Sequence, residues 1–343
     1  MSYSRICETL KRYRTELMGI AIIWILFFHT GWIIFEPLNT IMHKGYIGVD
    51  IFLFLSGFGI WHSLKKGNIF SFYLRRIRKV YPSYLIVLFL LFVQHYSSFR
   101  LEGYSKASMF ESFFCNVFMI SFFKWTPITF NWYIFLIIYM YILSPLFYQI
   151  IRRKGGIPLL IASILFTFFA FGNANYMMAA TRVFIYILGM YTAYMGEAYP
   201  EKKVSVPLLM VLMILGIGFM LYSQNALIPY LEIYGLWWYP CMITAPGLIC
   251  LLCFLLKKTG REKFPLLSLM GRSSLEIYLI NVTFREIYFT LVSYVTGWTG
   301  FVWIPSIILM ALSGVIFHFT VEKVMDLLSG SFYRAFRKNG TES

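Results

Sequence analysis

The feature that most constrains this chain is a succession of long apolar stretches separated by short polar loops. A helix needs about 20 consecutive apolar residues to cross the hydrocarbon core of a bilayer, and helices satisfy their own backbone polar groups there. The sequence therefore predicts an all-α polytopic membrane protein with about ten transmembrane helices. The apolar stretches cover residues 16–35, 46–63, 80–98, 131–150, 157–174, 178–196, 206–223, 237–256, 269–292 and 301–321.

Charged residues make up only 13% of the chain. A soluble domain carries about 25%, because it must cover its surface in water. Ten spans with short loops also use nearly all of the 343 residues. We therefore expect one integral membrane domain over residues 1–343, with no sizeable soluble domain.

The net charge of +15 comes from basic clusters that lie between the apolar stretches. With ten spans, every cluster falls on the same side of the membrane, which the positive-inside rule identifies as the cytoplasm. We therefore predict the cytoplasmic membrane as the location, both termini inside, a cytoplasmic tail at 330–343 and no nucleic-acid partner. The clusters are the N-terminus and residues 64–79, 152–154, 202–203, 257–263 and 323–338.

A weaker apolar stretch covers residues 109–123 and contains Glu111 and Asn116. Counting it as a full span breaks the charge pattern from Arg152 onward. We therefore expect it to form a half-span or an interfacial helix on the outer side, covered by protein where its backbone is irregular.

Two polar residues lie deep in the first two spans, where polar groups are costly and mark functional sites by default. His29 lies about 20 Å along the first helix from Glu16. On sequence alone, a catalytic histidine and a packed, hydrogen-bonded histidine remain equally open. Asp50 lies near the outer end of the second span, among glycines that allow close helix packing. Such packing explains the glycines but not Asp50.

The stretch FYLRRIRKVYPSYL, residues 72–85, carries Arg75, Arg76 and Arg78 just before the third span. One interpretation is a positively charged anchor at the cytoplasmic surface. The other is a binding site for an anionic phosphate group, because the planar guanidinium binds phosphate oxygens in pairs.

Five segments of the chain form a recognisable series. They are GYIGVDIFLFLSGFGI (45–60), FYLRRIRKVYPSY (72–84), NWYIFLIIYMYILSPLF (131–147), GRSSLEIYLIN (271–281) and HFTVEKV (318–324). In this order they resemble acyltransferase family 3, whose members include membrane O-acyltransferases that acetylate bacterial surface polysaccharides. This resemblance implies transfer of an acyl group, commonly acetyl, from cytoplasmic acyl-CoA to a hydroxyl of a cell-surface glycan, a sugar or a lipid precursor.

The resemblance also implies roles for individual residues. The first-span motif of the family is a basic residue, ten intervening residues and a histidine, which map to Met18 and His29. Arg14 lies one turn before Met18, and we expect its long side chain to replace the missing charge partly. His29 is the implied general base, and Asp50 orients its ring or holds the acceptor. Arg75, Arg76 and Arg78 hold the CoA phosphates, with Arg14 as a further donor-binding residue. The residues implied to line the substrate path are Ser56, Trp132, Tyr133, Tyr141 and Glu322.

The sequence departs from the family pattern at three places. Met18 replaces the basic residue of the first-span motif, and Asn281 stands where many relatives have His. Ile137-Ile138 stands where one branch of the family carries two acidic residues. We find no metal-ligand cluster in the sequence and expect no metal cofactor. The resemblance implies acyl-CoA, a glycan or lipid acceptor and membrane lipids as partners. The departure at Met18 keeps open a transporter or permease of a small polar molecule that uses the same fold without acyl chemistry. A sensory or scaffold protein is a third interpretation, but it leaves His29 and Asp50 without a common purpose.

Overall fold

The structure is a computed structural model that describes residues 1–30, 36–124, 126, 132–225, 233–297 and 302–339. Its regular elements are helices, so the chain is an all-α protein. They are α1 Tyr3–Thr30, α2 Glu36–His43, α3 Ile47–Leu64, α4 Ile69–Leu101, α5 Lys106–Val117, α6 Trp132–Lys154, α7 Ile157–Phe166, α8 Ala174–Ala198, α9 Val206–Asn225, α10 Tyr239–Lys258, α11 Pro265–Arg272, α12 Ser274–Thr296 and α13 Trp303–Asn339.

Each predicted apolar span contains a helix, and six of the described helices are long and apolar enough to cross a membrane. The six are α3, α4, α6, α9, α10 and α13. The expectation of an all-α polytopic membrane protein is therefore confirmed. The count of ten spans and the cytoplasmic position of both termini stay predictions.

Two predicted spans differ in detail from continuous helices. Helix α7 has 10 residues and continues only as a short 3₁₀ turn, Thr167–Ala170, so this segment is shorter than the ~30 Å hydrocarbon core. The stretch 269–292 is interrupted at Ser273, which separates α11 from α12. Length and apolar character therefore identified both segments as helical, but not where each helix ends.

Helix α5 corresponds to the weak stretch at 109–123. Its 12 residues rise about 18 Å, which is too short to cross a bilayer. The carbonyl of Asn116 accepts a hydrogen bond from the Tyr84 hydroxyl at 2.8 Å, and the Asn116 amide oxygen accepts one from Ser121 at 2.9 Å. The first bond holds the end of α5 against α4, and the second stabilises the turn that follows α5. Its placement at the outer interface stays a prediction.

The chain folds into two compact units. The first unit comprises Met1–Tyr73 and Asn131–Arg272, and the second comprises Leu74–Phe130 and Ser273–Ser343. The interpretation of residues 1–343 as one domain and of 330–343 as a cytoplasmic tail stays a prediction.

Helix α3 is the central helix of the first unit, and most of its residues are buried. It is apolar on all sides, as expected of a helix surrounded by others. A side chain at Gly57 would overlap the carbonyl oxygen of Tyr186 on α8, and one at Gly189 of α8 would overlap the carbonyl oxygen of Phe54. The two glycines thus let α3 and α8 pack backbone to backbone, as small residues do between membrane helices.

Candidate functional site

The candidate site is built around a buried ion pair in the first unit. Asp50 lies in the first turn of α3 and is 0% exposed, and Arg182 lies on α8 and is 1% exposed. An Oδ2 to Nη2 distance of 3.6 Å separates the two groups. The pair exists because the close packing of α3 and α8 brings the two helix faces together. Its distance is that of an ion pair rather than of a hydrogen bond.

Three other contacts fix the Arg182 guanidinium. Its carbon lies 5.0 Å from the ring centre of Trp132 and 4.9 Å from that of Trp238, which is within cation–π range. Its Nη1 donates a hydrogen bond to the carbonyl of Met178 at 2.9 Å. The guanidinium is therefore oriented by its own helix and by two aromatic side chains as well as by Asp50.

Several polar atoms of this group have no hydrogen-bond partner among the described residues. They are both carboxylate oxygens of Asp50, Nε of Arg182 and the indole nitrogen of Trp238. Buried polar groups in native proteins are nearly always paired, and leaving one unpaired costs about 1–3 kcal/mol. A cluster of such atoms around one ion pair identifies it as a candidate site rather than as packing alone.

Ring contacts connect His29 to this group. His29 lies in the last turn of α1, is half-buried, and its ring centre is 5.1 Å from that of Phe28. Phe28 lies 5.6 Å from Tyr46, and Tyr46 lies 5.8 Å from Trp238, one of the two rings at Arg182. The structure thus places His29 and Asp50 in one unit, linked by ring contacts from His29 to Trp238, by the cation–π contact of Trp238 with Arg182, and by the ion pair. The ion pair of Asp50 is formed with Arg182.

Arg14 lies on α1 and points against the middle of α3. Its Nε donates a hydrogen bond to the carbonyl of Leu55 at 3.1 Å, and its guanidinium lies beside Gly59. Ser56, the next residue after Leu55, is buried. Arg14 therefore contacts the helix that carries Asp50, at residues that lie nearer to the C-terminal end of α3 than Asp50 does.

Two of the aromatic residues expected to line a substrate path lie at the start of α6. Trp132 contacts Arg182, and the buried ring of Tyr133 lies 6.4 Å from Phe52 on α3. Tyr141 is half-buried, about two turns further along α6. The structure thus brings Trp132 to Arg182 on α8 and Tyr133 to α3, the helix that carries Asp50.

The three arginines expected to bind CoA lie in the second unit, on the N-terminal part of α4. Arg75 and Arg78 are exposed and Arg76 is half-buried. Their exposure leaves both interpretations open, an anchor at the membrane surface and a phosphate site.

A second buried polar cluster lies in the second unit, where α4, α12 and α13 meet. The Ser83 hydroxyl donates a hydrogen bond to Oε1 of Glu276 at 2.7 Å, and Nδ1 of His318 lies 3.1 Å from Oε2. The other ring nitrogen of His318 lies 4.0 Å from the exposed carboxylate of Glu322. Both oxygens of Glu276 are thus engaged, so this cluster is a satisfied network that joins three helices.

The sequence motifs did not identify Arg182, Glu276 or His318 as site residues. In the structure, Glu276 pairs with His318. A signal for Arg182 was present, because a lone arginine in the apolar stretch of α8 is costly unless a carboxylate such as Asp50 faces it. Among the described residues, no group of His, Cys, Asp and Glu is arranged to hold a metal ion.

The helices and their buried ionic site define an integral membrane protein of the polytopic all-α class. The acyltransferase 3 family model, which describes an acyltransferase domain, matches residues 17–320. The chain therefore belongs to this acyltransferase family, and the match includes His29, Asp50 and Arg182. No curated protein and no solved structure matched the chain.

Proposed function

We propose that the chain transfers an acyl group, most simply acetyl, from cytoplasmic acyl-CoA to a hydroxyl of a cell-surface glycan, a sugar or a lipid precursor. The proposal places the enzyme in the cytoplasmic membrane. Family membership supports acyl transfer in general. The observation that supports this reaction best is the connection of His29, through ring contacts and Arg182, to the buried Asp50 carboxylate, whose two oxygens accept no hydrogen bond from the described residues.

In this mechanism His29 is the general base. Its neutral imidazole takes the proton of the acceptor hydroxyl as the hydroxyl oxygen attacks the thioester carbonyl. The bond between the carbonyl carbon and sulfur then breaks, and the imidazolium returns the proton to the departing thiolate of CoA. The products are an O-acyl ester and free CoA. Asp50 accepts a hydrogen bond from the acceptor and so helps to orient it.

The donor is assigned to the basic side chains. Arg75, Arg76 and Arg78 bind the phosphate groups of CoA through paired, charge-assisted hydrogen bonds. Arg14 supplies the positive charge that Met18 lacks. If acyl transfer by an Arg14→Ala variant equals that of the wild type, the assignment of Arg14 is wrong.

The proposed function is tested with the purified full chain in proteoliposomes, supplied with labelled acetyl-CoA and a glycan and lipid extract of the producing cells. We expect His29→Ala to lower acyl transfer about 10²–10⁴-fold, which is the usual contribution of a general base. The matched control is His43→Ala, at the end of α2. Normal transfer by His29→Ala refutes the catalytic assignment. Mass spectrometry of glycans and lipids from cells with and without the protein identifies the acceptor by its lost acyl group.

The second candidate function is a transporter or permease without acyl chemistry. The residue that favours it is Met18, which stands where the family motif has a basic residue. The same proteoliposomes distinguish the two functions, because an acyltransferase releases free CoA thiol from acetyl-CoA and a transporter releases none.

A further inference from the structure

The carboxylate of Asp50 differs from the other buried carboxylates that the structure describes. Glu16 accepts a hydrogen bond from the Ser268 hydroxyl at 2.6 Å, and Glu276 accepts one from Ser83 at 2.7 Å. Asp50 is buried more completely than either, yet neither of its oxygens has a hydrogen-bond donor within the described ranges. Among the described residues, the carboxylates of Glu16 and Glu276 thus have hydrogen-bond donors, whereas the carboxylate of Asp50 has none.

Arg182 lies beside this carboxylate without donating a hydrogen bond to it. The guanidinium contacts two indole rings and the carbonyl of Met178, and its Nη2 remains 3.6 Å from Asp50. A positive charge at this distance stabilises the carboxylate by electrostatic attraction without occupying its oxygens. Both oxygens of a carboxylate accept hydrogen bonds, so one carboxylate can receive two adjacent hydroxyl groups.

The charges of the group also limit what it can receive. Asp50 and Arg182 together are neutral and are removed from solvent. A charged ligand at the pair would therefore lose its hydration without gaining a net counter-charge from the pair, which is costly in a buried site.

We infer that Arg182 is a positioning residue that keeps both oxygens of Asp50 open to adjacent hydroxyls of an acceptor that is uncharged at its reacting end. This inference rests on the proposed function and adds to it the charge class of the acceptor. It also assigns a purpose to Trp132 and Trp238, which orient the guanidinium.

The first test measures the state of Asp50 without any acyl transfer. Dicyclohexylcarbodiimide reacts with protonated carboxyl groups in apolar surroundings, and peptide mass spectrometry of the full chain reports its addition to Asp50. We expect Arg182→Met to increase this labelling at least fivefold, and Arg182→Lys to increase it less. Glu276 in the same digest is the internal control. Unchanged labelling of Asp50 in Arg182→Met overturns the positioning role.

The second test uses ligand protection with three sugars that share one ring and differ in charge. Glucose is neutral, glucose 6-phosphate is anionic and glucosamine is cationic. We expect glucose to protect Asp50 from labelling at concentrations at which the charged sugars protect at least tenfold less. Equal or better protection by a charged sugar, or no protection by glucose, overturns the inference about the acceptor.

The third test is kinetic and uses glucose and labelled acetyl-CoA in proteoliposomes. Trp238→Leu removes one ring that orients Arg182 while leaving the ion pair in place, so we expect the KM for glucose to rise about tenfold and the KM for acetyl-CoA to stay the same. A parallel change in both KM values, or none, overturns the positioning role. If no variant and no wild-type protein consumes acetyl-CoA with any acceptor, the proposed function fails, and the two labelling tests still decide the inference.

Discussion

The ion pair between Asp50 and Arg182 predicts a large and measurable coupling between two residues on different helices. Arg182→Met leaves a buried carboxylate without its charge partner, which costs about 3–5 kcal/mol in folded proteins. Asp50→Asn leaves a buried guanidinium with only its aromatic and carbonyl contacts, and we expect the free energy of unfolding to fall by about 3 kcal/mol. The double variant removes both charges together, so its free energy of unfolding should fall by about as much as that of either single variant.

The expected coupling follows from the distance and the burial of the pair. Two unit charges 3.6 Å apart attract with about 4.6 kcal/mol at an effective dielectric constant of ~20. Some of this attraction is lost when an unpaired carboxylate takes up a proton instead of staying charged. We therefore expect a coupling energy of about 3 kcal/mol from the double-mutant cycle.

The assay is equilibrium unfolding of the purified full chain in mixed detergent micelles, with increasing dodecyl sulfate and far-ultraviolet circular dichroism as the readout. The matched control is the pair of Arg12 and Glu262, which lie 3.3 Å apart with side chains 48% and 84% exposed. An exposed pair is screened by water and salt, so its coupling should lie below about 1 kcal/mol. A coupling below about 0.5 kcal/mol for Asp50 and Arg182 would show that burial does not strengthen this pair and would refute the reasoning.

Three further predictions concern other parts of the molecule. Gly57→Ala should lower the free energy of unfolding by more than about 1 kcal/mol in the same assay, because its methyl group overlaps a carbonyl of α8. The control Gly218→Ala has open space around it and should be neutral or stabilising, so equal effects of the two variants would contradict the packing. Glu276→Ala should lower the free energy of unfolding by about 3 kcal/mol, because it leaves the buried hydroxyl of Ser83 and the ring of His318 without their acceptor. A loss below about 0.5 kcal/mol would show that the network is not formed. Burial raises the pKa of the Cys7 thiol to about 11. The rate of its alkylation by iodoacetamide in the folded chain should therefore be low at pH 8 and rise about tenfold per pH unit up to pH 10, and a rate that does not depend on pH would contradict this pKa.

The sequence alone predicted the helices well, because the signal for a membrane helix is local. A run of apolar residues long enough to span the bilayer has few alternatives to a helix, since every backbone group needs a partner there. The same cost argument identified Asp50 as a candidate site residue from its position in an apolar stretch. The end of α7 and the break at Ser273 were not predicted, because the apolar character continues through both.

The helix that ends just before Ser273 makes close backbone contacts with a distant helix. A side chain at Gly271 would overlap the carbonyl oxygen of Thr15 on α1, and one at Gly19 would overlap that of Leu267 on α11. Helix α11 therefore lies directly against α1. Apolar periodicity gives no information about which distant helix a glycine will face.

Length and apolar content by themselves determined that this chain crosses the membrane several times as helices, because hydrophobic transfer is a property of each segment alone. Only the tertiary structure decided that Asp50 faces Arg182, that two tryptophans orient the guanidinium, and that His29 is joined to them through Phe28 and Tyr46. The physical reason is that an ion pair or a ring contact belongs to two helices at once. Its existence depends on which faces meet when the helices pack.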